Sequence, residues 1–135
     1  MEIAEILYLG ELRNEAKHLR SGQIIITDAP PDNQGKGEAF SPTDLMSTSL
    51  GVCMLTIMGI AARTHGMNID GTRIKISKVM AANPRRVSEI HVDFDMPDVH
   101  YSDKEKQILE QAAITCPVAQ SLHPDLVQKV HFNFK

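Results

Sequence analysis

The chain has no tryptophan, only two tyrosines and four phenylalanines, and only two cysteines in 135 residues. Two cysteines cannot build the disulfide framework of a small secreted fold. So few rings, with a formal net charge of −3, exclude the basic, ring-studded surface of a nucleic-acid binder. Metal-site spacings are missing too. The six histidines (His18, His65, His91, His100, His123 and His131) are scattered, and only Cys116 with His123 offers even a distant pairing. Gly35-Lys36-Gly37 lacks the strand and the Ser/Thr of a phosphate loop, so no cofactor is expected. The opening Met1-Glu2-Ile3-Ala4-Glu5 has neither the basic nor the continuous apolar part of a leader, so the expected setting is cytoplasmic and reducing.

What is present describes one folded domain over residues 1–135. The hydrophobic fraction is 42% and the charged fraction 23%, ordinary for a globular chain and wrong for a disordered tail or fibre. One run lacks charge altogether, the eighteen residues Leu45–Ala62, close to a bilayer-spanning length. Ser47, Thr48, Ser49, Gly51, Thr56 and Gly59 dilute it, so it reads as a core helix and no membrane partner is expected.

Alternation and turn residues set out the remaining elements. Ile3–Leu9 and Arg13–Leu19 read as strands. Ser21-Gly22 is a turn, and Gln23–Thr27 reads as a third strand buried on both faces. Residues 28–40 form a long loop of turn formers. Ser41-Pro42-Thr43-Asp44 then opens a helix with a cap, a proline at its first position and a capping-box acceptor. Gly66 ends it after about 24 residues, roughly 36 Å at 1.5 Å per residue. Its apolar residues, Leu45, Met46, Leu50, Val52, Met54, Leu55, Ile57, Met58 and Ile60 among them, surround the axis. Such a helix must be covered on all sides, which points to a dimer built around it. Thr72–Met80 and Val87–Met96 read as further strands. Ser102 with Glu105 opens a second helix with Ile108, Leu109, Ala112 and Ala113 on one face. Thr115-Cys116-Pro117 starts a short helical turn, and Val130, Phe132 and Phe134 alternate in a last strand.

The chemistry rests on Cys53, mid-way along the uncharged helix, and Cys116, just before Pro117, with sixty-two residues between them. Both fit the role of small buried hydrophobes. Both also fit a thiol pair cycling between dithiol and disulfide, with Cys116 acidified by helix N-terminal amides and Cys53 dependent on a nearby cation.

A resemblance bears on that choice. Phe40-Ser41-Pro42-Thr43-Asp44-Leu45-Met46, then Leu50-Gly51-Val52-Cys53, then Cys116-Pro117-Val118-Ala119, with Ser21-Gly22 and Asp28-Ala29-Pro30 upstream, resemble the OsmC/Ohr family. These are the osmotically inducible protein C and organic hydroperoxide resistance proteins. The ordered set spans nearly the whole chain. It implies an α+β, OsmC-like fold as an intertwined homodimer, with a long central helix packed against antiparallel sheets. It also implies a thiol-dependent peroxidase for organic hydroperoxides, in which Cys53 attacks, Cys116 resolves and a dithiol of lipoyl type reduces the pair. The other readings are an apolar-ligand-binding module and a redox sensor without turnover. The family's thiolate-serving arginine falls on Arg13, with Arg20 in reserve. The family glutamate that follows the helix-opening proline is Thr43 here, about 15 Å along the axis from Cys53. Glu38 and Asp44 are the nearby carboxylates. With threonine there, Arg13 is expected to be less fixed.

Overall fold

The computed structural model describes residues 1–135, which form two compact units, Met1–Met46 and Ser47–Lys135. In the first unit, β1 (Ala4–Gly10), β2 (Arg13–His18) and β3 (Ile24–Asp28) make an antiparallel sheet in that order. The β2–β3 hairpin turns at Ser21-Gly22, where glycine takes φ +76° and its N–H bonds the His18 carbonyl at 2.7 Å. That turn pairs Arg13 directly with Asp28.

The three isoleucines of β3 are not buried on both faces as expected. Ile24, Ile25 and Ile26 are 48%, 46% and 38% exposed, and Ile6, Leu7, Tyr8 and Leu9 of β1, across β2 in the same sheet, are exposed too. Apolar alternation marks which residues want covering, but a three-stranded sheet offers no second layer of its own.

After β3 the chain folds back on itself through a single 3₁₀ turn, Pro31–Asn33. The Asp28 N–H bonds the Phe40 carbonyl at 3.1 Å, and the Gly37 N–H bonds the Ala29 carbonyl at 3.1 Å. Gly35 is required here, since a Cβ would sit 1.8 Å from the Ala29 oxygen.

Helix α1 spans Pro42–His65. The Asp44 N–H donates to Ser41 Oγ and the Ser41 N–H donates to Asp44 Oδ2, each at 3.0 Å, so the expected capping box is formed. The helix is long and apolar enough to cross a membrane by length and composition alone. One stripe of it, Ser47, Leu50, Gly51, Met54, Met58 and Ala62, is buried, while Val52 and Ile60 are 59% and 58% exposed. Within one chain the helix is therefore covered on one face, not all round.

In the second unit, β4 (Arg73–Ala81), β5 (Arg86–Asp95) and β6 (Val127–Asn133) form a sheet in that order. β4 and β5 are antiparallel, but β6 lies parallel to β5, correcting the expectation of antiparallel sheets. The cause is the connection, because α2 (Asp103–Ile114) and α3 (Pro117–Ser121) carry the chain back before β6 begins. Helix α2 opens on the Ser102/Glu105 capping box and buries Leu109 and Ala113.

Leu50, Met54 and Met58 join Ile90, Val92, Phe94, Met96 and Leu109 in one core. Full burial of each such side chain is worth about 1.5–3 kcal/mol. Phe94 and Phe132, opposite each other on β5 and β6, stack with centroids 4.5 Å apart. Gly51 sets how closely α1 approaches β4, since a Cβ there would meet Ile76 Cδ1 at 2.8 Å.

Candidate active site

Cys53 follows from the phase of α1. Leu50, Gly51 and Met54 lock one face of the helix into the core, and Cys53 falls on the margin of that face, partly buried against it. Cys116 follows from Pro117. Proline at the first position of α3 leaves Cys116 as its N-cap in extended backbone (φ −65°, ψ 152°), pointing into the core. It is fully buried. Its Sγ accepts the Ala119 N–H at 3.4 Å, and Gln128 Nε2 of β6 donates to the Ala119 carbonyl at 3.1 Å, which holds α3 in place.

The two thiols lie near enough for Cys53 to perturb Cys116 electrostatically, and both are free. The helix cap does not acidify Cys116 as expected. Burial pushes its pKa up and the adjoining Cys53 pushes it further, against the weaker pull of the Ala119 and Val118 amides. Cys116 is thus a neutral, shielded thiol at pH 7, whereas Cys53 is the partly accessible sulfur. The chemistry open to such a pair is attack by one sulfur on an external electrophile and condensation by the other.

The first unit carries a separate charged cluster. Arg13 follows a turn in which Glu11 and Leu12 both sit in left-handed backbone (φ +54° and +62°), unusual for a leucine. The Ala29 N–H clamps that turn through the Leu12 carbonyl at 3.2 Å. Arg13 Nη2 then lies 3.3 Å from Asp28 Oδ2 and 3.1 Å from Glu38 Oε1. The Glu38 N–H donates to the same Asp28 oxygen at 3.0 Å. That amide, helped by Arg13 and the Ala29 N–H, holds the Asp28 carboxyl below its ordinary pKa in spite of burial. Asp28 is 1% exposed, and its Oδ1 has no hydrogen-bond partner within the chain.

The carboxylates beside Arg13 are thus Asp28 and Glu38. Thr43 instead shares a 3.3 Å hydrogen bond with the capping Ser41 hydroxyl. The sequence names Glu38 as a nearby carboxylate, but Asp28 enters there only through the long loop and the Asp28-Ala29-Pro30 motif, with no role at the site. Its partner is set by strand register, because the β2–β3 pairing puts Arg13 directly opposite Asp28 as a cross-strand opposite charge. Arg20 lies in the exposed β2–β3 turn at the other end of the hairpin. His123 is exposed and accepts the Asp125 N–H at 3.0 Å. No group of three or more His, Cys, Asp or Glu side chains is placed to hold a metal ion.

Two free thiols near each other, one on a long helix and one capping a short helix, on an α+β scaffold, define a dithiol protein. Comparison with known proteins gives the family: the chain belongs to the OsmC-like proteins, whose family profile matches residues 35–130. A Psychrobacter arcticus 273-4 structure, of a protein named as a candidate in osmotic stress induction and the detoxification response, is 54% identical. The match covers 98% of this chain and 96% of that one, with a TM-score of 0.94. The fold also matches a Legionella pneumophila organic hydroperoxide resistance protein OsmC, at 12% identity, 98% and 96% coverage and a TM-score of 0.78. A Vibrio cholerae O1 biovar eltor protein, assigned to organic hydroperoxide resistance and holding captopril in one of its active sites, is likewise similar. It shows 12% identity, 98% and 92% coverage and a TM-score of 0.73. No curated protein sequence matches the chain.

Proposed function

We propose that the protein is a thiol-dependent peroxidase that reduces organic hydroperoxides through Cys53 and Cys116. The observation that carries the reading is the asymmetry of the pair, a partly accessible Cys53 against a fully buried Cys116 near it. Membership of the OsmC-like family and the fold shared with hydroperoxide resistance proteins support it.

In this reading the Cys53 thiolate attacks the outer oxygen of the hydroperoxide. The O–O bond breaks, the alkoxide takes a proton and leaves as alcohol, and Cys53 becomes a sulfenic acid. Oxidation removes the charge on Cys53 that raises the Cys116 pKa, so Cys116 ionises more readily at that moment. It displaces water from the sulfenic acid and forms the disulfide. A dithiol of lipoyl type then exchanges with the disulfide, becoming a cyclic disulfide as both thiols return. Arg13 serves the thiolate and the departing oxygen.

The working form is a homodimer, which would cover Val52 and Ile60 of α1 and the apolar strands β1 and β3. The reading is tested by steady-state turnover with dihydrolipoamide as reductant, comparing cumene hydroperoxide with hydrogen peroxide. Faster turnover of the organic peroxide supports it, and no turnover of either refutes it.

A further inference from the structure

We propose that Gln128 is a positioning residue for disulfide formation: by gripping the Ala119 carbonyl, it keeps the Ala119 N–H on the Cys116 sulfur. The inference rests on the reading that Cys116 condenses with an oxidised Cys53.

The pattern of β6 singles Gln128 out. Gln128, Val130 and Phe132 share one strand face, alternating with the exposed Val127, Lys129, His131 and Asn133. Val130 and Phe132 pack against the core, so that face asks for an apolar residue where Gln128 stands. A half-buried amide costs stability unless it is paired. Its Nε2 finds its partner in the Ala119 carbonyl, at 3.1 Å.

That carbonyl is where α3 most needs an outside partner. Pro117–Ser121 is a five-residue helix, too short to be stable by itself, and a helix leaves its last carbonyls without internal partners. The N–H of the same residue, Ala119, donates to Cys116 Sγ at 3.4 Å. Gln128, Ala119 and Cys116 thus form one line from β6 to the sulfur, inside a single compact unit. Cys53 of α1 is the titratable side chain that acts on Cys116. Helix α2 turns Leu109 and Ala113 to the core, and Lys129 and His131 of β6 lie on the exposed face. Backbone amides, that of Ala119 first, are what favour the Cys116 thiolate against burial.

Condensation needs that thiolate. It attacks the sulfur of the Cys53 sulfenic acid, the S–S bond forms, the S–O bond breaks, and the departing hydroxide takes a proton to become water. Without the grip of Gln128 the Ala119 amide drifts from the sulfur, and less thiolate exists at pH 7.

The test reads Cys116 by itself. In full-length protein carrying Cys53→Ser, the NMR shift of the Cys116 Cβ, which tracks thiol ionisation, is followed across pH. Gln128→Met keeps the reach of the side chain and removes the donor. It should raise the Cys116 pKa by up to ~1 unit, about a three- to tenfold loss of thiolate on the acid side. Gln128→Asn keeps the amide but falls one methylene short, so it should shift the titration the same way, and it decides the matter should Gln128→Met not fold. With both cysteines present, disulfide formation after cumene hydroperoxide should slow about two- to threefold at pH 7. That is less than the loss of thiolate, because a more basic thiolate is the better nucleophile. The deficit should disappear above the raised pKa, whereas a merely structural role slows the step equally at every pH. A Cys116 titration unmoved or lowered in the folded variant, or slowing independent of pH, overturns the inference. Failure to react with any hydroperoxide overturns the peroxidase reading instead, and the titration still decides this one.

Discussion

Replacing Gly51 by alanine adds one methyl group at the closest approach of α1 to β4, two residues before Cys53. On its own, alanine in a helix interior gains about 1 kcal/mol over glycine. The new Cβ, however, falls 2.8 Å from Ile76 Cδ1, 3.4 Å from Ile76 Cγ1 and 3.5 Å from Ile74 Cγ2. The nearest of these is the end of a flexible side chain, so a rotation of Ile76 or a small lift of the helix absorbs the clash. Overpacking of this kind costs about 1–3 kcal/mol, which leaves Gly51→Ala about 0–2 kcal/mol less stable than the parent. Ile76→Val removes Cδ1 and by itself costs about 0.5–1.5 kcal/mol. In the double variant the clash is relieved and the alanine gain returns, so the two changes should couple favourably by about 1–3 kcal/mol, the overpacking cost itself. Urea unfolding of the four proteins reads the cycle. Any lift of α1 also moves Cys53 from Cys116, so disulfide formation after peroxide should slow in Gly51→Ala and recover in the double variant. Strict additivity, or unchanged disulfide formation in a destabilised Gly51→Ala, would refute the account of how α1 is seated.

The other expectations are direct. Cys53→Ser should abolish reaction with hydroperoxide, while Cys116→Ser should react once and stall as the sulfenic acid, seen by dimedone labelling and mass. Because burial raises the Cys116 pKa and persists once Cys53 is a sulfenic acid, the disulfide-forming step should accelerate from pH 7 to pH 9 in rapid-mixing experiments. Val52→Asp places a charge on the exposed apolar face of α1 and should shift the protein to monomer by light scattering, with a dimeric parent. The Asp28 carboxyl has a folded pKa below its ordinary 3.8, so its stabilisation is complete above about pH 4. That stabilisation is lost as pH falls through the lowered value. Asp28→Asn should therefore flatten the acid limb of a stability-against-pH curve.

Local signals carried the helices and failed where partners decide. Ser41-Pro42-Thr43-Asp44 and Ser102 with Glu105 place two helix starts because a cap is made by residues three apart. Val130, Phe132 and Phe134 announce a strand, but alternation is the same in either direction, so the parallel pairing of β6 with β5 was not legible. The consecutive isoleucines of β3 show that apolar residues require cover without showing what supplies it. At the candidate site, Cys53 and Cys116 were legible as residues. The sign of the Cys116 shift was not, because burial in the core outweighs the local pull of the α3 amides. Asp28 was hidden by its surroundings, an aspartate at the head of a run of turn formers. Only the hairpin register turns it into the partner of Arg13.

The central claim is that Cys53 and Cys116 form one redox pair, and thiol counting tests it most directly. The reduced protein is treated with one equivalent of cumene hydroperoxide per chain, and its free thiols are titrated before and after an added dithiol. The account expects both thiols to disappear, a Cys53–Cys116 disulfide within one chain on peptide mapping, and full return of both thiols with dihydrolipoamide. Loss of a single thiol, or two thiols left intact while the peroxide persists, would contradict it.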